Sequence, residues 1–180
     1  VRHRGNGVAQ EVAGRIGDAL GMRFVVAGRG ATAWGDGFVE SSEVRVEAED
    51  LEYMGTVGVE ERAELMGGAA VTIVPTIYQE PFGGVAVESM MCGTPVVAKD
   101  FGAFVETVRE GVSGFLFSTL QEAAGAVAAA AALDRGVCRS YALDRYSLDA
   151  VRPSYQRWFD NLDMLWGEGW TALREEAAAA

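Results

Sequence analysis

The chain is poor in the residues that most often carry metal and acid–base chemistry. Its 180 residues include one histidine, His3, and two cysteines, Cys92 and Cys138. One histidine near a terminus builds neither a zinc site nor a histidine-based triad. Two cysteines are too few for a disulfide framework, and both read as free thiols in a reducing compartment, the cytoplasm. Lysine is nearly missing, with Lys99 the only one. No apolar run approaches the ~20 residues of a membrane span, and no signal-peptide pattern opens the chain. No Asp-rich cation-binding pattern is evident, so no metal is expected. Positive charge is short as well: 15 Lys and Arg stand against 26 Asp and Glu, a formal net charge of −11. That balance argues against nucleic acid, and against an anionic membrane surface, as the main partner.

What is present is enough apolar material, 49% of the chain, for one domain with its own core. Val8, Val12, Ile16 and Leu20 recur at spacing four, which predicts an amphipathic helix closed by Gly21. Arg23 to Ala27 reads as a strand ended by Gly28-Arg-Gly30. From Ala31 to Asp50 the chain is polar, acidic and rich in turn residues, and a loop or short excursion is expected. Leu51–Gly55 predicts a strand, Glu60–Met66 a helix with acids in its first turn, and Val71–Pro75 a short apolar strand. Strands at Val96–Ala98 and Phe115–Phe117 alternate with a short helix over 103–110. An Ala-rich helix capped by Ser118 or Thr119 then runs to Leu133. This β-then-α alternation predicts an α/β fold, an open parallel sheet with helices on both faces and ligand loops at the carboxyl ends of its strands.

The stretch from Glu80 to Gly93, EPFGGVAVESMMCG, is where chemistry concentrates. Gly83 and Gly84 open an apolar helix directly after a strand. The first turn of a helix leaves backbone N–H groups free and carries partial positive charge, and glycine lets an anion come close. Glu88 lies four residues after Gly84 and projects over it. A carboxylate there can accept from two neighbouring hydroxyls, such as a ribose diol. The competing reading pairs Glu88 with an arginine from elsewhere in the fold, or takes it to the surface.

The same residues resemble a known family. Glu80-Pro-Phe-Gly83 followed by Glu88 is similar to the E-x7-E signature of retaining GT-B glycosyltransferases of the family 4 type. The likeness continues through Cys92-Gly-Thr-Pro-Val-Val97 and Gly111-Val-Ser-Gly-Phe-Leu116. It also covers Phe101-Gly-Ala-Phe-Val-Glu106, where the family has Gly-Gly-x-x-Glu. The tail from Arg139 to Leu162 is similar to the family's closing pattern. The resemblance implies one Rossmann-like half of a GT-B architecture, the half that binds a nucleoside diphosphate sugar, UDP- or GDP-linked. It implies that Glu88 holds the ribose hydroxyls and that Glu80, the catalytic residue, lies beside the donor sugar and helps position the reacting centre. The amides of Phe82, Gly83, Gly84 and Val85 would meet the diphosphate and sugar, and Gly55, Thr56 and Val57 would border the nucleobase. Arg4, in Arg4-Gly5, stands where the family has a phosphate-binding Lys-Gly pair, with Lys99 a weaker alternative cation.

By the same resemblance, residues 1–180 are one donor-binding domain lacking its first strand, with residues 150–180 a C-terminal helical extension. The N-terminal acceptor domain would lie outside this sequence, consistent with a chain that begins on Val1, and the chain alone would transfer little. Tyr155, Trp158, Phe159, Leu162, Leu165 and Trp166 recur at helical spacing; core packing is the favoured reading, and an exposed stripe that drives self-association is the other. Two further functions stand as alternatives: a non-catalytic nucleotide-binding or assembly module, and a sugar-nucleotide epimerase on the same scaffold.

Overall fold

The computed structural model describes residues 22–168 apart from residues 30, 42–44, 49, 77 and 78. The helix predicted over residues 8–20 lies outside the described residues. The described chain divides into two compact units, Val1–Ala142 and Leu143–Ala180.

In the first unit, β1 (Phe24–Ala27) pairs in parallel with β5 (Leu51–Gly55), Phe24 opposite Leu51. Strands β6 (Thr72–Val74), β7 (Val96–Lys99) and β8 (Gly114–Phe117) form a second parallel sheet in that order. The helices between them are α1 (Val59–Gly68), α2 (Gly84–Met91), α3 (Phe104–Thr107) and α4 (Leu120–Ala131). The predicted β/α alternation is therefore present. Among the described residues, the five parallel strands stand as sheets of two and three rather than as the one sheet expected.

Residues 31–50 depart further from expectation. Instead of a loop they form an antiparallel meander of β2 (Ala31–Gly35), β3 (Phe38–Ser41) and β4 (Arg45–Glu47). The cause is local. Asp36-Gly37 fills the two-residue turn between β2 and β3, and Gly37 has φ 74°. Gly37 alone supplies the positive φ that lets the chain reverse there, a conformation glycine adopts without steric cost. The meander also covers a sheet: Val39 is buried with Leu51, and Phe24, Val26 and Tyr53 pack around them. It does what a crossover helix would otherwise do between two parallel strands.

The sheet of β6, β7 and β8 carries the main core. Val97 and Phe117 pack against Ala123, Val127 and Ala130 of α4. Along β7, Val96, Val97 and Ala98 are all buried, as in a parallel strand covered on both faces. Thr119 caps α4, its Oγ1 accepting from the Glu122 amide at 3.3 Å, while the Glu122 carboxylate accepts from the amides of Ser118 (2.7 Å) and Thr119 (3.2 Å). These backbone bonds, Ser118 first, hold the Glu122 carboxyl below its ordinary value of 4.5.

Next comes α5 (Arg135–Tyr146), whose Arg135 bonds to the carbonyls of Ala69 and Gly67, both at 2.6 Å, and to Thr94 Oγ1 at 2.8 Å. Burial pushes the Cys138 thiol on α5 up to about 11. The second unit holds α6 (Leu148–Glu168). Its Tyr155, Trp158 and Phe159 are each more than half exposed, so the core-packing reading is corrected for these three; the side chains of Leu165 and Trp166 lie outside those described. Helical spacing marks an apolar face but does not say what covers it. Among the described residues, no helix is long and apolar enough to cross a membrane.

Two expectations follow. Folding lowers the Glu122 value, so its contribution is full above about 4.5 and fades as pH falls through the folded value. Glu122→Gln should therefore lower Tm at pH 7, and the gap to wild type should close toward pH 3; a gap independent of pH would count against this cap. At pH 8 a thiol reagent should label the partly exposed Cys92 and spare the buried Cys138 until denaturant is added. Equal labelling of both in the folded protein would be the contrary result.

Candidate functional site

Two glycines with different tasks build the turn into α2. Gly83 is left-handed, with φ 77° and ψ 47°. A Cβ there would lie 2.7 Å from the ring of Phe104, which is buried beneath it. Both the backbone angle and the space demand glycine. Gly84 differs: a Cβ there would meet nothing within 4 Å, so the start of the helix faces open space. The amides of Gly84 and Val85 are the first two of α2 and have no carbonyl one turn earlier. No side chain hydrogen-bonds to this end through the N-cap. Two N–H groups and the positive end of the dipole therefore look outward. Phe82 and Val85 flank them, each about half exposed (53% and 52%).

Glu80 is held from both sides. Its Oε1 accepts the Gly83 amide at 3.1 Å, and its carbonyl accepts the Ala103 amide at 2.9 Å. Gly102 has φ 64°, and a Cβ there would lie 2.8 Å from the Glu80 nitrogen and 2.9 Å from its carbonyl oxygen. The turn after β7 thus runs so close to the Glu80 backbone that only glycine fits at 102. One consequence for the expected roles is that the Gly83 amide is engaged by the Glu80 carboxylate, whereas the amides of Gly84 and Val85 make no hydrogen bond to it.

Glu88, over Gly84, has the arginine partner that one reading of the sequence anticipated. Arg62 of α1 meets it with both arms of the guanidinium, Nε to Oε2 at 3.0 Å and Nη2 to Oε1 at 3.2 Å. Both side chains remain substantially exposed, 39% and 45%. Arg62 is the fourth residue of α1, and its amide donates to the Gly58 carbonyl at 2.9 Å. That carbonyl belongs to the same turn as Gly55, Thr56 and Val57. Gly55 has φ 70°, and its carbonyl accepts the Gly28 amide at 2.7 Å, so the carboxyl ends of β1 and β5 meet.

The site residues therefore fall into two groups, Glu80–Glu88 with Gly102, and Gly55–Val57 with Gly28. The Arg62–Glu88 pair ties the first group to the helix that follows the second. Lys99 donates to the Ser118 carbonyl and sits 5.5 Å over the Phe117 ring, away from these groups' hydrogen bonds. Arg4 lies outside the described residues. Among the described residues, no cluster of three His, Cys, Asp or Glu could hold a metal ion. The sequence reading missed Arg62 and Gly102 as individuals. Arg62 had a signal: a cation in the acidic first turns of a helix, Glu60-Glu61-Arg62, runs against the dipole and asks for another reason.

If the close approach of Gly102 to the Glu80 backbone sets the site, Gly102→Ala should cost about 2 kcal/mol or more, from strain at positive φ and a backbone clash. Chemical denaturation would measure it. A variant as stable as wild type would show that the loop gives way and that Glu80 is not held there.

Comparison with known proteins places this geometry among relatives. Residues 7–134 match the family model described as glycosyl transferases group 1. A D-inositol 3-phosphate glycosyltransferase of Geodermatophilus obscurus is 39% identical over 133 residues, which are 74% of this chain and 28% of that protein. A phosphatidyl-myo-inositol mannosyltransferase of Mycobacterium leprae is 31% identical over 152 residues, 78% of this chain and 38% of that protein. The match thus spans well under half of either relative's length. Among solved structures, AviGT4, a glycosyltransferase involved in avilamycin A biosynthesis, is similar with a TM-score of 0.64 and 23% identity, over 90% of this chain and 48% of its own. Anabaena HepE, solved in complex with UDP, is similar with a TM-score of 0.55 and 25% identity, over 62% of this chain and 32% of its own.

Proposed function

The chain belongs to the group 1 glycosyl transferases and has the fold of one Rossmann-like half of a GT-B architecture; from that premise we propose that it is the donor-binding part of a retaining enzyme of the family 4 type. The observation that carries the reading is the start of α2, with outward amides at Gly84 and Val85, open space over Gly84, and a carboxylate on either side. A diphosphate fits the amides and the dipole end. Glu88 takes the ribose hydroxyls, and Glu80 lies toward the sugar carried by the second phosphate. Phe82 and Gly83 complete the cradle, Gly83 through an amide that Glu80 can release. Gly55, Thr56 and Val57 border the base, and Arg4 adds a cation to the diphosphate.

The reaction is transfer of a hexosyl group from a nucleoside diphosphate sugar to an acceptor hydroxyl with retained configuration. Charge gathers on the departing diphosphate, where preorganised amides stabilise it most in the transition state. No metal is required in this reading. UDP is the favoured nucleotide, because HepE was solved with UDP and with UDP-glucose. The acceptor side belongs to a second domain of a longer polypeptide. The cytoplasmic assignment rests on two free thiols. The exposed Tyr155, Trp158 and Phe159 of α6 offer a surface for self-association.

Strand order among the described residues supports the proposal that residues 1–180 are one donor domain, extended by residues 150–180, whose first strand is not among those described. In a doubly wound sheet of order 3-2-1-4-5-6, the first strand lies between the second and the fourth. With β1 and β5 as strands two and three, and β6, β7 and β8 as four to six, the observed pairings are 3-2 and 4-5-6. One strand between β1 and β6 would join them into one sheet.

Calorimetric titration with UDP and GDP, on wild type and Glu88→Ala, tests the function. One nucleotide should bind at about 10 μM to 1 mM, and the variant should lose about 1–3 kcal/mol. Binding of neither, by folded protein, would remove the donor-domain reading. An extended polypeptide that includes the upstream strand should melt higher and bind the same nucleotide more tightly. No change in either would refute the proposed strand order.

A further inference from the structure

We propose that Arg62 is a positioning residue for Glu88 and sets that carboxylate to accept a vicinal diol, an inference that rests on the nucleotide-sugar reading above. The pair has fork-to-fork geometry, Nε to Oε2 at 3.0 Å and Nη2 to Oε1 at 3.2 Å. Two parallel bonds fix the plane of a carboxylate, which a single bond would leave free to rotate. An ionised carboxylate offers about four lone-pair positions. Arg62 occupies one on each oxygen and leaves one on each. A ribose 2′,3′-diol presents two O–H donors at neighbouring carbons, which is the number and spacing that remain.

Exposure argues against a purely stabilising role. With side chains 39% and 45% exposed, such a pair contributes little to folding. The same exposure keeps the remaining lone pairs within reach of a ligand. Position argues for a functional one. Glu88 stands over Gly84, where no side chain intrudes within 4 Å. Arg62 stands one turn beyond the Gly55–Gly58 turn and bonds to its last carbonyl. The ion pair therefore sets the distance between the helix that follows the base-side turn and the acid on the ribose side. A nucleoside bridging the two would meet both already in register.

The test is titration of wild type, Arg62→Met, Arg62→Lys and Glu88→Gln with UDP and 2′-deoxy-UDP, or with the guanosine pair if GDP is the nucleotide bound. Wild type should prefer the ribonucleotide by about tenfold, a preference that needs the 2′-hydroxyl to meet its acceptor. Arg62→Met should weaken UDP about five- to tenfold and leave 2′-deoxy-UDP within about twofold, so that the preference collapses. Arg62→Lys, a point charge without the fork, should fall between. Melting temperatures of the Arg62 variants should stay close to wild type. The inference is overturned if Arg62→Met binds UDP as tightly as wild type or tighter, or if both nucleotides weaken together. If Glu88→Gln loses the ribose preference and Arg62→Met keeps it, the nucleotide-sugar reading stands and Arg62 has no part in it. If wild type binds no nucleotide, that reading falls and takes this inference with it.

Discussion

Gly83 is the point on which the arrangement turns. The chain comes out of β6, must reverse into α2, and passes over the buried ring of Phe104 with no room for a Cβ. A left-handed residue at that place starts α2 in the direction that buries Ala86, Val87 and Met90. The same turn puts the Gly83 amide where Glu80 can accept it, and Gly102 fixes Glu80 from behind. Three separate segments thus depend on one backbone conformation. This is how a short turn, with little packing of its own, can hold a carboxylate in a defined place.

The scaffold beneath is stitched by polar bonds that the apolar pattern does not reveal. Ser89 Oγ lies on the buried side of α2 and reaches Thr72 Oγ1 at 2.7 Å and the Thr94 carbonyl at 3.0 Å. Thr94 Oγ1 donates to the Met66 carbonyl at 2.5 Å, and Arg135 caps the end of α1 through Gly67 and Ala69. The carbonyls at the end of a helix need such partners when buried. One threonine and one arginine supply them, and so lock α1, the helix that carries Arg62, to the segment that leads into β7. This network anchors the helix from which Arg62 reaches Glu88, and the fork of the ion pair then orients the carboxylate.

Much of this is legible in the residues. The parallel strands are readable because most are short, largely apolar runs flanked by glycine or proline; Leu51–Gly55 matches to the residue, and Gly83–Gly84 marks the turn. The meander is not, although Asp36-Gly37 between Trp34 and Phe38 is a hairpin signal. The acidic composition around it hides it, because composition reports solvent exposure and not strand pairing. The stripe on α6 reads as core from periodicity alone, yet Trp158 is 56% exposed. Periodicity identifies a face, and only tertiary structure supplies its cover. Glu88 is the informative ambiguity. Sequence offers a ligand or an arginine as alternatives, and the structure supplies the arginine in a geometry that leaves half of the carboxylate's acceptor positions open.

That last point bears on how so acidic a chain can serve an anionic ligand. A net charge of −11 repels a diphosphate at long range, and a site lined with cations would be the direct remedy. The described part of the chain takes another course. At the cradle, backbone amides and a helix dipole supply positive potential that falls off within one turn. The nearby arginine, Arg62, is already neutralised by Glu88, and the lysine of β7 is bonded to Ser118. In the proposed donor site, recognition would rest on short-range directional bonds, amide to phosphate and carboxylate to diol, more than on net attraction. Such bonds are strong only when donors and acceptors are held in place before the ligand arrives. In the proposed site the left-handed Gly83, the close packing of Gly102 on Glu80 and the forked Arg62 would be three means to that one end, and none of them changes the net charge of the site.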